Sequence, residues 1–105
     1  NMKLVNKDKK IDLYYYHTFF QKLRGLMFKK DIDFAIYFKT KGIHTFFMKE
    51  NIDLCVTDKN NKIIYLEENL AKNKIRYFKK AKYIYELPKG SISNYKLGES
   101  LIITD

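Results

Sequence analysis

Hydrophobic and polar residues alternate with a period of two along most of this chain, and this pattern predicts a mainly β protein. Successive side chains of a strand point to opposite faces, so a half-buried strand alternates in this way. The apolar runs are separated by turns that contain Asn, Asp, Gly or Lys. The predicted strands cover residues 3–5, 11–16, 34–38, 45–48, 53–57, 63–67, 74–78, 82–87 and 100–103.

One segment between the second and third predicted strands has helical spacing instead. Thr18 and Gln21 form a capping box, in which each side chain accepts a backbone N–H that the first helical turn leaves without a partner. Apolar residues recur at helical spacing from Phe19 onward, and Gly25 lies near the predicted end. Because nine short strands in a flat sheet would expose their edges, we expect a small closed or nearly closed β-barrel with this one short helix packed on it.

The size of the chain predicts one domain over residues 1–105, since so short a chain has no room for a second core. No apolar run approaches the ~20 residues of a membrane-spanning helix. Asn1 is expected to be an added residue before a native start at Met2, and no apolar segment of a secretory signal follows. We therefore expect a cytoplasmic protein if Met2 is the native start, and an exported one if a signal was removed.

The formal net charge of +9 makes nucleic acid a partner to consider, because clustered cations gain affinity for phosphate by releasing counterions. Only two of the 21 basic residues are arginine, the side chain best suited to bidentate recognition. We interpret residues 72–82, the basic segment, as a half-buried strand with Ile75, Tyr77 and Tyr83 towards the core and solvated lysines outside. Single-strand binding through aromatic and basic side chains is the alternative. Its basic residues are Lys72, Lys74, Arg76, Lys79, Lys80 and Lys82.

Three blocks of the sequence resemble those of one protein family. They are Arg-Gly-Leu-Met at 24–27, the stretch 42–64 with Phe-Phe-Met-Lys and an Ile-Asp pair, and Glu-Leu-Pro-Lys-Gly at 86–90 followed by Leu-Gly-Glu at 97–99. Together they are similar to the DUF192 family, a small domain without an assigned activity. The resemblance implies a small β-barrel-like fold and leaves the function open.

Two charged residues in these blocks lie among apolar neighbours. Arg24 follows a leucine, and Asp53 lies between Ile52 and Leu54. A buried charge requires a partner, so the first interpretation is a structural ion pair of Arg24 with Asp53 or Glu86 that fixes the helix on the sheet. The second is a cleft in which Arg24 binds a ligand carboxylate or phosphate bidentately. The third is that both charges are exposed.

Catalytic and metal-binding patterns are weak in this sequence. Cys55 shares a strand face with Asp53, and His44 lies on the preceding strand, but a cysteine inside an apolar strand is more typical of an inert core thiol. His17, His44 and one cysteine have none of the paired spacings of zinc ligands. Neither a glycine-rich phosphate loop nor a nucleophile elbow is present. We therefore predict no catalytic residue, no metal site and no cofactor.

The sequence favours a non-enzymatic binding or accessory module over an enzyme. The predicted partner is a small acidic ligand or another protein, bound in a cleft near residues 24–27 and 46–49. The candidate ligand-binding residues are Arg24, Phe47, Lys49 and Asp53. Nucleic-acid association through the basic segment and an unrecognised enzyme are the alternatives.

Overall fold

The structure, a computed structural model, describes all 105 residues and is mainly β. It has nine strands and one short helix, in the order that the alternation of polarity predicts. No helix has the length and apolar character needed to cross a bilayer. The elements are β1 (Lys3–Asn6), β2 (Lys9–Tyr15), α1 (Phe19–Arg24), β3 (Phe34–Lys39), β4 (Gly42–His44), β5 (Ile52–Thr57), β6 (Ile63–Leu70), β7 (Ile75–Tyr77), β8 (Tyr83–Pro88) and β9 (Ile102–Thr104).

Seven strands form one curled sheet in the order β6-β5-β8-β3-β2-β1-β9, while β4 and β7 pair in a separate two-stranded sheet. The β2–β3 pair is parallel, with α1 in the crossover, and the other pairs are antiparallel. The segment before β9 returns to β6: the Ile63 N–H donates to the Glu99 carbonyl and the Gly98 N–H to the Ile63 carbonyl, both at 2.8 Å. The two ends of the sheet therefore approach each other, which confirms the barrel-like class.

The core consists of two apolar clusters, one on each face of the central strands. Alternate residues of β8 separate accordingly: Ile84 belongs to one cluster and Tyr85 to the other. Every position of β5 is buried, because β6 and β8 flank it and both of its faces are covered. Cys55 is completely buried there, which confirms the predicted core thiol, and burial raises its pKa to about 12.

Helix α1 begins and ends where the sequence predicts. The Gln21 N–H donates to Thr18 Oγ1 at 3.1 Å, and the Thr18 N–H donates to Gln21 Oε1 at 3.1 Å, so the capping box is confirmed. Gly25 follows the helix with a φ of +50°, a conformation that glycine adopts without a Cβ clash. No residue of α1 is buried, so its apolar side chains are not covered by the rest of the fold.

The predicted strand at residues 45–48 is wrong, because the chain turns directly after His44. The Thr45 hydroxyl donates to the Ala71 carbonyl at 2.8 Å and accepts from the Lys74 N–H at 2.8 Å. Phe47 then has a φ of +63°, which lies outside the extended region. The apolar run at 45–48 does not indicate these two hydrogen bonds of Thr45. Strand β4 ends at His44, before the turn.

Asp53, at the start of β5, is completely buried and binds backbone N–H groups. Its Oδ1 accepts from the Asn69 N–H at 2.9 Å, and its Oδ2 accepts from the N–H groups of Gly90 at 3.0 Å and Ile92 at 3.2 Å. Three donors compensate the cost of burying the carboxylate. Asp53 thereby joins β5 to the end of β6 and to the loop that follows β8.

We expect Asp53→Ala to lower the free energy of unfolding by roughly 3 kcal/mol or more, since each buried N–H left unpaired costs ~1–3 kcal/mol. Asp58→Ala is the matched control, because Asp58 accepts from the N–H groups of Asn60 and Lys62 in an exposed turn. Water can replace that carboxylate, so the control should lose only about 1 kcal/mol. Urea unfolding followed by circular dichroism measures both, and equal losses would contradict the role assigned to Asp53.

Candidate functional site

An apolar cavity of about 580 Å³ lies between α1 and the β4–β7 sheet, and we call it the α1–β4 cavity. Exposed apolar side chains form its outer part: Phe19 and Leu23 from α1, and Ile75 and Tyr77 from β7. Buried residues make its inner surface, among them Phe38, Met48 and Glu86. The volume is within the range of small-molecule sites, which run from ~300 to ~1,000 Å³.

His44 fixes the wall of the cavity where β4 approaches the end of α1. Its Nδ1 accepts from the Phe46 N–H at 3.1 Å, so the ring proton is on Nε2, which donates to the Leu23 carbonyl at 3.0 Å. Its ring also stacks on the ring of Phe46, with 5.4 Å between centroids. Because both ring nitrogens form hydrogen bonds, His44 positions β4 and α1 relative to each other.

Glu86 is the one acidic side chain that lines the cavity. It is only 3% exposed, and its Oε1 has no hydrogen-bond partner. Burial raises the pKa of Glu86 to about 8, and the backbone N–H of Leu26 opposes this shift. Gly25 packs closely against the carboxyl without crowding it, since a Cβ at that position would lie 3.1 Å from Oε1. Near neutral pH the carboxyl is therefore largely protonated and can both donate and accept a hydrogen bond.

From the sequence, Glu86 is expected only as a partner for Arg24. The signal that points to it is a single acidic residue in an apolar strand, Tyr-Ile-Tyr-Glu-Leu-Pro, where alternation requires the position to face a covered side of the sheet. The sequence alone does not show whether Glu86 faces a cavity or a cationic side chain.

Arg24 lines the same cavity, but it is exposed and forms no ion pair. The predicted pairing of Arg24 with Asp53 or Glu86 is therefore wrong. The physical reason is the exposure of α1, because an exposed guanidinium does not require a carboxylate partner, and backbone N–H groups already bind Asp53. The structure contains two ion pairs, Lys3–Asp12 and Arg76–Glu67.

The structure does not bring the four predicted ligand-binding residues together. Arg24 is at the α1–β4 cavity, whereas Asp53 is buried with its carboxylate engaged by backbone. Phe47 is exposed, and its ring packs against that of Phe28 with 5.8 Å between centroids. Lys49 lies at a separate and more polar surface depression.

The basic segment has the solvated lysines that were predicted, but two of its apolar side chains do not face the core. Ile75 and Tyr77 are 65% and 63% exposed, whereas Arg76 turns inward. Its Nε and an Nη atom donate to the two carboxylate oxygens of Glu67, both at 2.9 Å. The interpretation of Ile75 and Tyr77 as core residues is therefore wrong, because β7 pairs only with β4, away from the main sheet. Tyr83, in β8, is half-buried.

The nominal Cys-His-Asp set is not assembled. Cys55 is enclosed in the core, His44 bonds to the end of α1, and Asp53 bonds to backbone N–H groups. No three His, Cys, Asp or Glu side chains cluster in a way that could bind a metal ion. Among the acidic and nucleophilic side chains, Glu86 is the one that lines the cavity and has an unpaired oxygen.

We expect the free energy of unfolding to fall as the pH rises from about 4.5 to about 8, the ordinary and raised pKa values of Glu86. The folded state binds this proton more tightly, so the stabilisation is complete below the unfolded pKa and is lost as the pH passes the folded pKa. Glu86→Gln should remove most of this slope, whereas Glu68→Gln, a change at an exposed residue, should retain it. Urea unfolding at several pH values tests this, and identical slopes in all three proteins would contradict it.

Three comparisons place the chain among known proteins. The family model DUF192, described as "Uncharacterized ACR, COG1430", matches residues 2–103. A relative from Thermococcus sibiricus, named UPF0127 protein, is 34% identical over an alignment of 95 residues, and the match covers 80% of this chain and 60% of the relative. The chain thus spans less than two thirds of the length of that relative.

Two solved structures have a similar fold. A protein of unknown function from Novosphingobium aromaticivorans gives a TM-score of 0.82 at 10% identity, covering 96% of this chain and 82% of that one. A putative transcription regulator from Sinorhizobium meliloti gives 0.79 at 14% identity, covering 98% and 90%. These likenesses show the fold alone, whereas the family match covers nearly the whole chain. The chain belongs to the DUF192 family.

Proposed function

We propose that this protein is a binding module rather than an enzyme, and that the α1–β4 cavity is its binding site. The observation that carries the proposal is the buried Glu86 carboxyl, whose Oε1 has no partner within the protein. Nearly all buried polar atoms in native proteins are hydrogen-bonded. A carboxyl oxygen left unpaired at the inner surface of a cavity therefore supports an occupant that supplies the partner.

The outer part of the cavity supports the same function. Phe19, Leu23, Ile75 and Tyr77 are all at least half exposed, although each belongs to an ordered helix or strand. A contiguous group of exposed apolar side chains is typical of binding surfaces, because its contact with water is unfavourable until a partner covers it. The apolar side chains of α1 are thus available to contact a ligand, since they do not pack in the core.

We expect a neutral apolar probe, 2-naphthamide, to bind saturably and to shift the amide NMR signals of Gly25, Gly42 and Ile75. Ile75→Ser should weaken binding by ~10-fold or more, since burying an isoleucine side chain contributes ~1.5–3 kcal/mol. Ile102→Ser is the matched control, because Ile102 is 62% exposed in a three-residue strand outside the cavity. An absence of saturable shifts, or equal weakening in the two variants, would overturn the proposal.

Nucleic-acid binding by the basic segment is a second candidate, and the exposure of Tyr77 favours it. An exposed aromatic ring among exposed lysines is the combination that stacks on and neutralises a single strand. The arginine of the segment is less suited to this role, since Arg76 is already bound bidentately by Glu67. Its exposed lysines are Lys72, Lys74, Lys79 and Lys80, with Lys82 half-buried.

We expect binding of short single- and double-stranded oligonucleotides to be weak and to be lost as the salt concentration rises, because dispersed lysines neutralise phosphate without reading bases. Changing Lys79 and Lys80 together to Glu tests the segment, and changing the exposed pair Lys9 and Lys10 to Glu is the charge-matched control. Affinity that persists at physiological salt and is abolished only by the first double change would make the basic segment a nucleic-acid site.

A further inference from the structure

We propose that the ligand of the α1–β4 cavity is an apolar molecule with one carboxylate or similar anionic group, bound by Lys22 and Arg24, and with a hydrogen-bonding group that meets Glu86. This inference rests on the proposed function of the cavity and specifies the chemical class of its ligand. The apolar body would lie across the exposed side chains of α1 and β7.

The charges that line the cavity support an anionic ligand. Three cationic side chains line it, Lys22, Arg24 and Arg76, and Glu67 neutralises Arg76 through two hydrogen bonds. Lys22 and Arg24, in the last turn of α1, have no ion pair and no side-chain hydrogen bond. The α1 side of the cavity therefore carries unpaired positive charge, which attracts an anion and repels an ammonium group.

Glu86 supports a neutral hydrogen-bonding group at the inner end of the ligand. An ion pair with a cationic ligand would require Glu86 to ionise where burial disfavours the charged carboxylate, and the ligand would share the cavity with Lys22 and Arg24. A neutral carboxyl can instead accept from a hydroxyl or amide N–H, or donate to an oxygen. Because Gly25 has no side chain, no Cβ crowds Oε1, which would otherwise have one 3.1 Å away.

The anionic group is tested with three probes that share one naphthalene ring: 2-naphthoate, neutral 2-naphthamide and cationic 2-naphthylmethylammonium. At low salt and neutral pH we expect 2-naphthoate to bind at least ~fivefold more tightly than 2-naphthamide, and the ammonium to bind most weakly. Changing Lys22 and Arg24 together to Gln should reduce the affinity for 2-naphthoate to that for 2-naphthamide. Changing Lys9 and Lys10 to Gln, which removes the same charge elsewhere, should not.

The inner contact is tested with 6-hydroxy-2-naphthoate, which places a hydroxyl at the far end of the same ring. We expect the hydroxyl to increase affinity over 2-naphthoate in the native protein and in Glu86→Gln, which keeps a hydrogen-bonding group. In Glu86→Leu the two probes should bind equally. A hydroxyl gain that persists in Glu86→Leu would overturn the assignment of Glu86.

These measurements test the binding site and the class of its ligand separately. If no probe binds in a way that depends on Ile75, the proposed function itself is wrong. If all three probes bind through Ile75 with equal affinity, or if the ammonium binds most tightly, the cavity is a binding site and the anionic class of ligand is wrong.

Discussion

The burial of two carboxyl groups in the central strand pair β5–β8 is the constraint on which this structure depends. Asp53 is opposite Leu87, and Glu86 is opposite Leu54, so the two acids occupy neighbouring rungs and point to opposite faces of the sheet. Each is almost completely withdrawn from water. A buried carboxyl must either form hydrogen bonds that stabilise its charge or become protonated. Asp53 does the first on one face of the sheet, and Glu86 does the second on the other.

Asp53 is compensated within the protein, and this compensation organises the end of the sheet. Its three N–H donors come from β6 and from the turn that follows β8, so one carboxylate fixes how the chain leaves two strands. Glu86, on the other face, is uncompensated at Oε1 and gives up its charge instead. This contrast supports our proposal that a ligand partners Glu86, whereas both carboxylate oxygens of Asp53 are hydrogen-bonded within the protein.

The sequence predicted the elements well, because strand alternation, the Thr18–Gln21 capping box and the DUF192 blocks depend on neighbouring residues. It failed where a residue's environment depends on distant parts of the chain. The turn at Thr45 is made by carbonyl and N–H groups near residues 71–74, which no local pattern contains. Ile75 and Tyr77 have the alternation of core residues, yet β7 lies outside the main sheet, so their apolar face borders a cavity. Of the four predicted ligand-binding residues, Arg24 alone lies there.

The most direct test of the central claim is a ¹³C NMR titration of the Glu86 side-chain carboxyl, assigned by its absence in Glu86→Gln, with and without 2-naphthoate. We expect a midpoint near pH 8 in the free protein, since burial disfavours the carboxylate. Bound 2-naphthoate should move the midpoint higher, because a nearby negative charge favours the neutral carboxyl further. A midpoint near the ordinary glutamate value of 4.5 that does not change on adding 2-naphthoate would contradict the account.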